Sequence, residues 1–318
     1  MIRLREAARL CRIRDQLHQS GAPDWMRDAV ATAVGPKLRG GVATDELAIQ
    51  VVVPRKIADP PAEKAIARLV AGVATDVIDG SEPVGAPIGP GSAPSEVALG
   101  LPIVVPASAE QGTIACAAWR GGAAALLTAA HVARQGQEAL LLRDRTSVGR
   151  CEVAYDVATR ADLYGRRAVP QGPFVVDLGV LRVPVGRAFR GGAGQPQPII
   201  MRSSSELLPD LINTEALSFA GGSGVWRSGV VTGLWPKRAS DGAVGLCLIR
   251  HSPPSIGGDS GSLWIARKKG QLFALGLHWG LVGAAGSVLA LVSDLEAGCA
   301  LAGVTAIAGS PDEVVTGS

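Results

Sequence analysis

Apolar positions along this chain fall into three successive textures. Over the first ~36 residues the spacing is helical. Leu10, Ile13 and Leu17 stand at i, i+3 and i+7 until Gly21-Ala22-Pro23-Asp24 breaks the period. A second short helix carrying Trp25, Ala29, Val30 and Val34 is expected to follow. The unbroken run Leu47-Ala48-Ile49-Gln50-Val51-Val52-Val53 then reads as a strand. Pro60-Pro61-Ala62-Glu63 opens an expected helix with Ile66, Leu69 and Val70 on one face, and 73–78 reads as a strand again. Residues 1–79 are thus expected to form a small α/β unit, helical first and strand–helix–strand after.

Residues 80–97 are rich in Gly, Pro and Ser and read as a linker. Beyond it the texture changes. Short apolar runs at 102–105, 113–119, 124–128, 139–142, 174–183, 229–234, 244–249, 263–266, 272–277 and 287–292 alternate with turn signals. Many short strands with glycine-rich turns predict a mainly β domain over 98–308, a sandwich or a pair of barrels. One helix is expected near 294–301, and 309–318 reads as a frayed tail.

Composition narrows the functional classes. Hydrophobic residues make up 47% but aromatics only 4%, so the core must be aliphatic. A net charge of +3 without a long basic run argues against nucleic acid as a partner. The arginines Arg3, Arg5, Arg9, Arg12 and Arg14 read as a solvated basic helix face. No apolar run reaches the ~18 residues of a membrane span. The start, Met1-Ile2-Arg3-Leu4-Arg5-Glu6, lacks the apolar core of a secretory signal. Five cysteines at irregular spacings, an odd count without CxxC, read as reduced thiols of a cytoplasmic protein. Four scattered histidines argue against a metal site, and no cofactor is expected.

Candidate chemistry centres on Gly257-Gly258-Asp259-Ser260-Gly261-Ser262. A serine bracketed by glycines can sit on a tight turn whose N–H groups converge on one point, the requirement for holding an oxyanion. Its partners would be a base and a carboxylate. Of four histidines, His131 follows the apolar strand end Leu126-Leu127-Thr128-Ala129-Ala130, where packing fixes the ring and small neighbours leave room beside it. Asp177 lies inside the apolar run 174–183, where an unpaired carboxylate is costly, so it needs a partner such as an imidazole N–H. The order His131, Asp177, Ser260 excludes the α/β-hydrolase elbow and the subtilisin order.

Thr128-Ala129-Ala130-His131, Asp177-Leu178-Gly179-Val180-Leu181 and Gly258-Asp259-Ser260-Gly261-Ser262 together resemble the three signature segments of the chymotrypsin-like serine peptidases. The resemblance covers residues 100 to about 305. It implies two six-stranded antiparallel β-barrels and an endopeptidase acting on protein or peptide substrates. In that reading Ser260 is nucleophile, His131 general base and acid, Asp177 the orienting carboxylate, and the N–H groups of Gly258 and Ser260 the oxyanion hole. The chain departs from secreted members in having Val132 where a cysteine would pair with Cys116, and it shows no activation site to supply a new amine for Asp259. A peptide-binding pseudo-peptidase is the rival.

The same resemblance suggests specificity. Pro254 stands where tryptic members carry an acid, so Lys and Arg are disfavoured at the cleaved bond. His278-Trp279-Gly280, with Ser255, resembles the S1 strand of the bacterial glutamyl endopeptidases. It implies a preference for Glu through His278 and Ser255, against the plainer reading that His278 only packs on its strand. The N-terminal unit resembles small domains that precede some trypsin-like peptidases. A regulatory or partner-binding role is expected of residues 1–95, and Glu96 is a candidate self-cleavage point.

Overall fold

The structure, a computed structural model, describes residues 4–19, 29–39, 42–54, 57, 65–79, 100–158, 173–184, 188–190, 199–200, 211–238, 241–268, 271–284, 287–308 and 314–316. It opens with α1 (Leu4–Gln19), β1 (Ala31–Arg39), β2 (Val42–Val53), β3 (Leu69–Val70) and β4 (Val73–Asp79). A first set of strands follows: β5 (Pro102–Val105), β6 (Glu110–Thr113), β7 (Cys116–Arg120), β8 (Ala123–Thr128), β9 (Glu138–Leu141), β10 (Ser147–Ala158) and β11 (Phe174–Arg182). After the short β12 (Ala188–Arg190) and β13 (Ile199–Ile200) come β14 (Glu215–Ala220), β15 (Val225–Arg238), β16 (Cys247–Ser252), β17 (Leu263–Lys268), β18 (Gln271–Ala284) and β19 (Ser287–Val292). The chain ends with α2 (Leu295–Ala302), β20 (Val304–Ala308) and β21 (Val314–Thr316).

Both expected barrels are visible in the pairing. In the second, antiparallel neighbours run β14–β15–β16–β19–β18–β17 and return to β14, so the ring closes on itself. In the first, the path β7–β8–β11–β10–β9–β5–β6 returns to its start because β6 runs on through Ile114 and Ala115 into β7. Closure leaves few open strand edges. The interior is aliphatic, as the composition requires, with Ile103, Leu126, Leu127, Val180 and Leu181 at the heart of the first barrel. Helix α2, at the expected place, is capped by Asp294 accepting from Ala297 N and by the left-handed Gly303. Its Leu295 and Cys299 join the first barrel's core, and β20 beyond it pairs with β7.

The N-terminal segment differs from expectation in its elements. Where the second helix was expected, Val34 lies instead on β1, an antiparallel partner of both β2 and β15, while Trp25 lies outside the described residues. Its residues from Ala31 to Pro36 are buried on both faces, and a strand buried on both faces loses the alternation that would announce it. Strands β2 and β4 pair in parallel, but Leu69 and Val70, expected on a helix, form β3 against β4. Most of that helix, residues 58–64, lies outside the described residues, as do the linker through residue 99 and Glu96.

The β1–β15 pairing also makes the N-terminal sheet continuous with the second barrel. Helix α1 sinks Ala7, Leu10 and Cys11 into the core that also holds Leu234, Trp235 and Val292 of the barrel. Arg14, expected on a solvated face, is fully buried. In the tail, expected to fray, Val314–Thr316 pairs with Ala188–Arg190.

Because α1 shares the barrel's core, Leu10→Ala should cost about 2–5 kcal/mol. Urea unfolding followed by tryptophan fluorescence should show one transition shifted as a whole, without a separate early phase for the N-terminal segment.

Candidate active site

His131 lies just past the end of β8, and Asp177 lies within β11, the strand paired with β8. That pairing brings the two side chains together. His131 Nδ1 lies 2.8 Å from Asp177 Oδ2, and the backbone N–H of His131 donates to Asp177 Oδ1 at 3.0 Å. A carboxylate can only accept, so Nδ1 carries the proton and Nε2 presents its lone pair. Asp177 is buried and has a φ of 42°, in the left-handed region that aspartate tolerates better than most residues. Burial pushes the His131 pKa down, but the hydrogen bond and charge of Asp177 outweigh it and leave the imidazole above its ordinary 6.5.

Ser260 lies across the interface between the barrels, on the turn before β17. Its carbonyl accepts from Thr113 N at 2.8 Å, and Gly261 N donates to His278 O at 2.8 Å, so both barrels hold the turn. The turn also presses against the segment that leads to His131. A Cβ on Gly261 would lie 2.8 Å from Ala129 N and 2.7 Å from Thr113 O, so no larger residue fits there. Gly258 has a φ of 91°, and its carbonyl accepts from Thr113 Oγ1 at 2.8 Å. Among the described residues, neither Gly258 N nor Ser260 N donates to a protein acceptor, and Ser260 Oγ has no hydrogen-bond partner, His131 included. Two fixed, unspent N–H groups flanking a free hydroxyl are what an oxyanion site requires.

Asp259, within the same turn, is paired with a side-chain cation. Its Oδ2 lies 2.7 Å from Arg227 Nη2 and accepts from Ile256 N at 2.7 Å, while Ser223 N and Oγ donate to Oδ1. Both charges of the Arg227–Asp259 pair are buried. Arg227 also donates from Nε to Pro253 O and from Nη2 to Pro254 O. An internal guanidinium thus fills the role that the sequence left open, and no signal in the sequence singles out Arg227 among the residues of its strand.

The five residues expected at S1 divide into two groups. Trp264 Nε1 donates to His278 Nδ1 at 3.3 Å, which puts the His278 proton on Nε2. Ser255 Oγ lies 3.2 Å from His251 Nε2, while His251 Nδ1 lies 3.0 Å from Pro253 O. A carbonyl only accepts, so Nδ1 of His251 holds the proton and Nε2 accepts the Ser255 hydroxyl. The two imidazoles meet edge to face, with ring centroids 6.4 Å apart. Burial holds His278 well below 6.5 and lowers His251 to about 4, so both rings are neutral. His278 is therefore uncharged in the free protein, and Ser255 spends its proton on His251. His251 and Trp264 join this cluster without any cue in the sequence.

Trp279 and Gly280 lie elsewhere. Successive residues on a strand face opposite ways, and Trp279 turns away from the His278 cluster. With His131, Asp177, Asp156, Arg238 and Asp241 it lines a cavity of about 430 Å³. The Arg238 guanidinium sits 5.2 Å from the centre of its ring. Gly280 pairs with Leu291. Pro254 is exposed and contributes its carbonyl to Arg227. Among the described residues no cluster of His, Cys, Asp and Glu suits a metal ion, and no helix is long and apolar enough to cross a membrane.

No family model and no curated protein matches this chain. Solved structures do. Thermobifida fusca protease A is 17% identical, with 68% of this chain and all of that one aligned at a TM-score of 0.44. A glutamic-acid-specific serine protease, described as using a novel histidine triad in substrate binding, is 19% identical over 67% of this chain and all of its own, at 0.45. Cellulomonas bogoriensis chymotrypsin is 17% identical over 67% and 99%, at 0.41.

Arg227→Met would strand a buried carboxylate in the serine turn. Loss of one partner from such a pair costs about 3–5 kcal/mol. The variant should show a lower Tm in calorimetry together with reduced reactivity at Ser260. The unsubstituted chain should be reactive with its N-terminus intact, as mass spectrometry of the labelled protein would show.

Proposed function

We propose that this chain is a serine endopeptidase in which Ser260 attacks the peptide carbonyl. The observation that carries the reading is the His131–Asp177 pair, fixed in the tautomer that leaves Nε2 as acceptor and set beside a serine turn with two unspent N–H groups. His131 Nε2 takes the Ser260 proton as Oγ bonds to the carbonyl carbon. The tetrahedral oxyanion is held by the N–H groups of Gly258 and Ser260. His131 then returns the proton to the leaving amine, and water releases the acyl group by the same steps. Asp177 keeps the ring oriented and stabilises its transient charge. No cofactor enters this chemistry. Five free, buried thiols fit a reducing compartment, which supports the cytoplasm as the place of action.

The specificity that goes with this reading is for glutamate at the cleaved bond. His278 offers Nε2–H as a donor rather than a resident charge. A bound carboxylate would favour the protonated ring, so substrate binding would be linked to proton uptake. Ser255 could donate to the substrate only by releasing His251.

A fluorophosphonate probe should label the chain, and Ser260→Ala should abolish labelling. A folded but unlabelled parent would instead favour a peptide-binding pseudo-peptidase. The base must be neutral, so kcat/KM should fall as pH drops through the raised His131 pKa, above 6.5. Asp177→Asn should lower kcat by about 10⁴-fold. The ratio of kcat/KM for a Glu substrate over its Gln counterpart should rise as pH falls from 8 to 6. His131 affects both substrates alike and cancels. A flat ratio would remove the linkage to proton uptake, and a ratio near one, or one unchanged in His278→Ala, would remove the glutamate preference through His278, in each case leaving the peptidase reading intact.

A further inference from the structure

The last residues of β15 are gripped on one side and presented to the cleft on the other. On the gripped side, Asp15 of α1 is buried, and its Oδ1 lies 3.0 Å from Arg14 Nη2 and 3.2 Å from Lys237 Nζ. Arg14 Nη1 donates to the carbonyl of Trp235, a residue at the left-handed φ of 49°. Strand β1 holds the same backbone, with Thr32 opposite Lys237 and Ala31 opposite Arg238. Helix and strand are themselves tied by a 3.2 Å contact between His18 Nε2 and Thr32 Oγ1.

On the other side is Arg238, the next residue along, whose guanidinium lies over Trp279 and pairs with Asp241. Arg238, Trp279 and His131 line one cavity. The path from α1 to the cleft is therefore a short run of direct contacts.

We infer that Asp15 and Lys237 are positioning residues for the substrate cleft: the buried Arg14–Asp15–Lys237 cluster fixes the end of β15 so that Arg238 and Trp279 form a wall for substrate residues beyond the one at the cleaved bond. This inference rests on the peptidase reading above. The physical basis is the cost of an unmatched buried charge. Lys237 and Arg14 converge on one carboxylate, and neither can turn away without leaving a charge unpaired in the core. Placement of Arg238 is correspondingly fixed. Its stacking on Trp279 depends on the direction in which the strand end points, and a displacement of about 1 Å is enough to misalign such a surface. The N-terminal segment thereby acts as a permanent part of the cleft rather than a detachable cover.

The test uses the full chain and two readouts. One is labelling by a small fluorophosphonate, which needs only Ser260, His131 and the oxyanion donors. The other is kcat/KM for peptides lengthened residue by residue from the cleaved bond in either direction. Lys237→Met leaves Asp15 paired with Arg14. It should label at the parental rate but lose the gain that the parent shows with lengthened peptides, by roughly tenfold and through KM. Lys237→Arg, which keeps a cation on Asp15, should restore most of it. Arg238→Met tests the cleft end without touching the buried cluster. It should show the same loss, and combining it with Lys237→Met should add little.

Equal loss of labelling and of peptide cleavage in Lys237→Met would mean a structural role only and would overturn the inference. So would an unchanged gain with length, or full additivity of the two substitutions. If the parent itself does not label, the peptidase reading falls first, an outcome distinct from all of these.

Discussion

One buried guanidinium sets the geometry on which the candidate site depends. Arg227 reaches from β15 to Asp259, and the same head group donates to the carbonyls of Pro253 and Pro254. It thus fastens two stretches on either side of Ser255, the approach to the histidine cluster and the turn that carries Ser260. Asp259 in turn collects donors from Ile256 and Ser223, so the turn is held from within as well. A pair like this contributes little net stability, because two charges have left water to form it. What it contributes is definition, since any other path of the 253–262 segment would leave one of those charges buried alone. Chains that rely on a newly exposed terminal amine acquire such definition only on processing. Here the cation is part of a strand and present from the first folding event.

The fold of residues 98–308 was legible because its strands are short, apolar and punctuated by glycine, and the candidate triad because each member sits in a locally distinctive setting. His131 ends an apolar strand, Asp177 interrupts another, and Ser260 is framed by glycines. What escaped were residues whose meaning lies in distant partners. Arg227 stands between Trp226 and Ser228 as an ordinary polar residue of a strand, and its carboxylate is 32 positions away. Arg14 belongs to a run of arginines that reads as a wet helix face, yet it points inward at the backbone of Trp235. Strand β1 escaped for a related reason. Small residues buried on both faces between β2 and β15 carry neither the helical nor the alternating period.

Four histidines offered themselves as base, and the structure separates them by physics rather than by position. His18, His251 and His278 are all pushed down, by burial first and by neighbouring cations or imidazoles second. In none of the three does a carboxylate prevail over burial. At His131 burial acts the same way, but Asp177 is placed to oppose it through both a hydrogen bond and a charge. The outcome has opposite sign for the same side chain. A group that must accept a proton and carry it briefly needs the charged form to be accessible, and only His131 has that access. Of the buried neutral rings, His251 spends its N–H on Pro253 O, while His278 keeps its proton on Nε2. Trp264 settles which nitrogen of His278 carries that N–H. The contrast between a raised imidazole in the first barrel and lowered ones in the second therefore follows from where a single aspartate was placed.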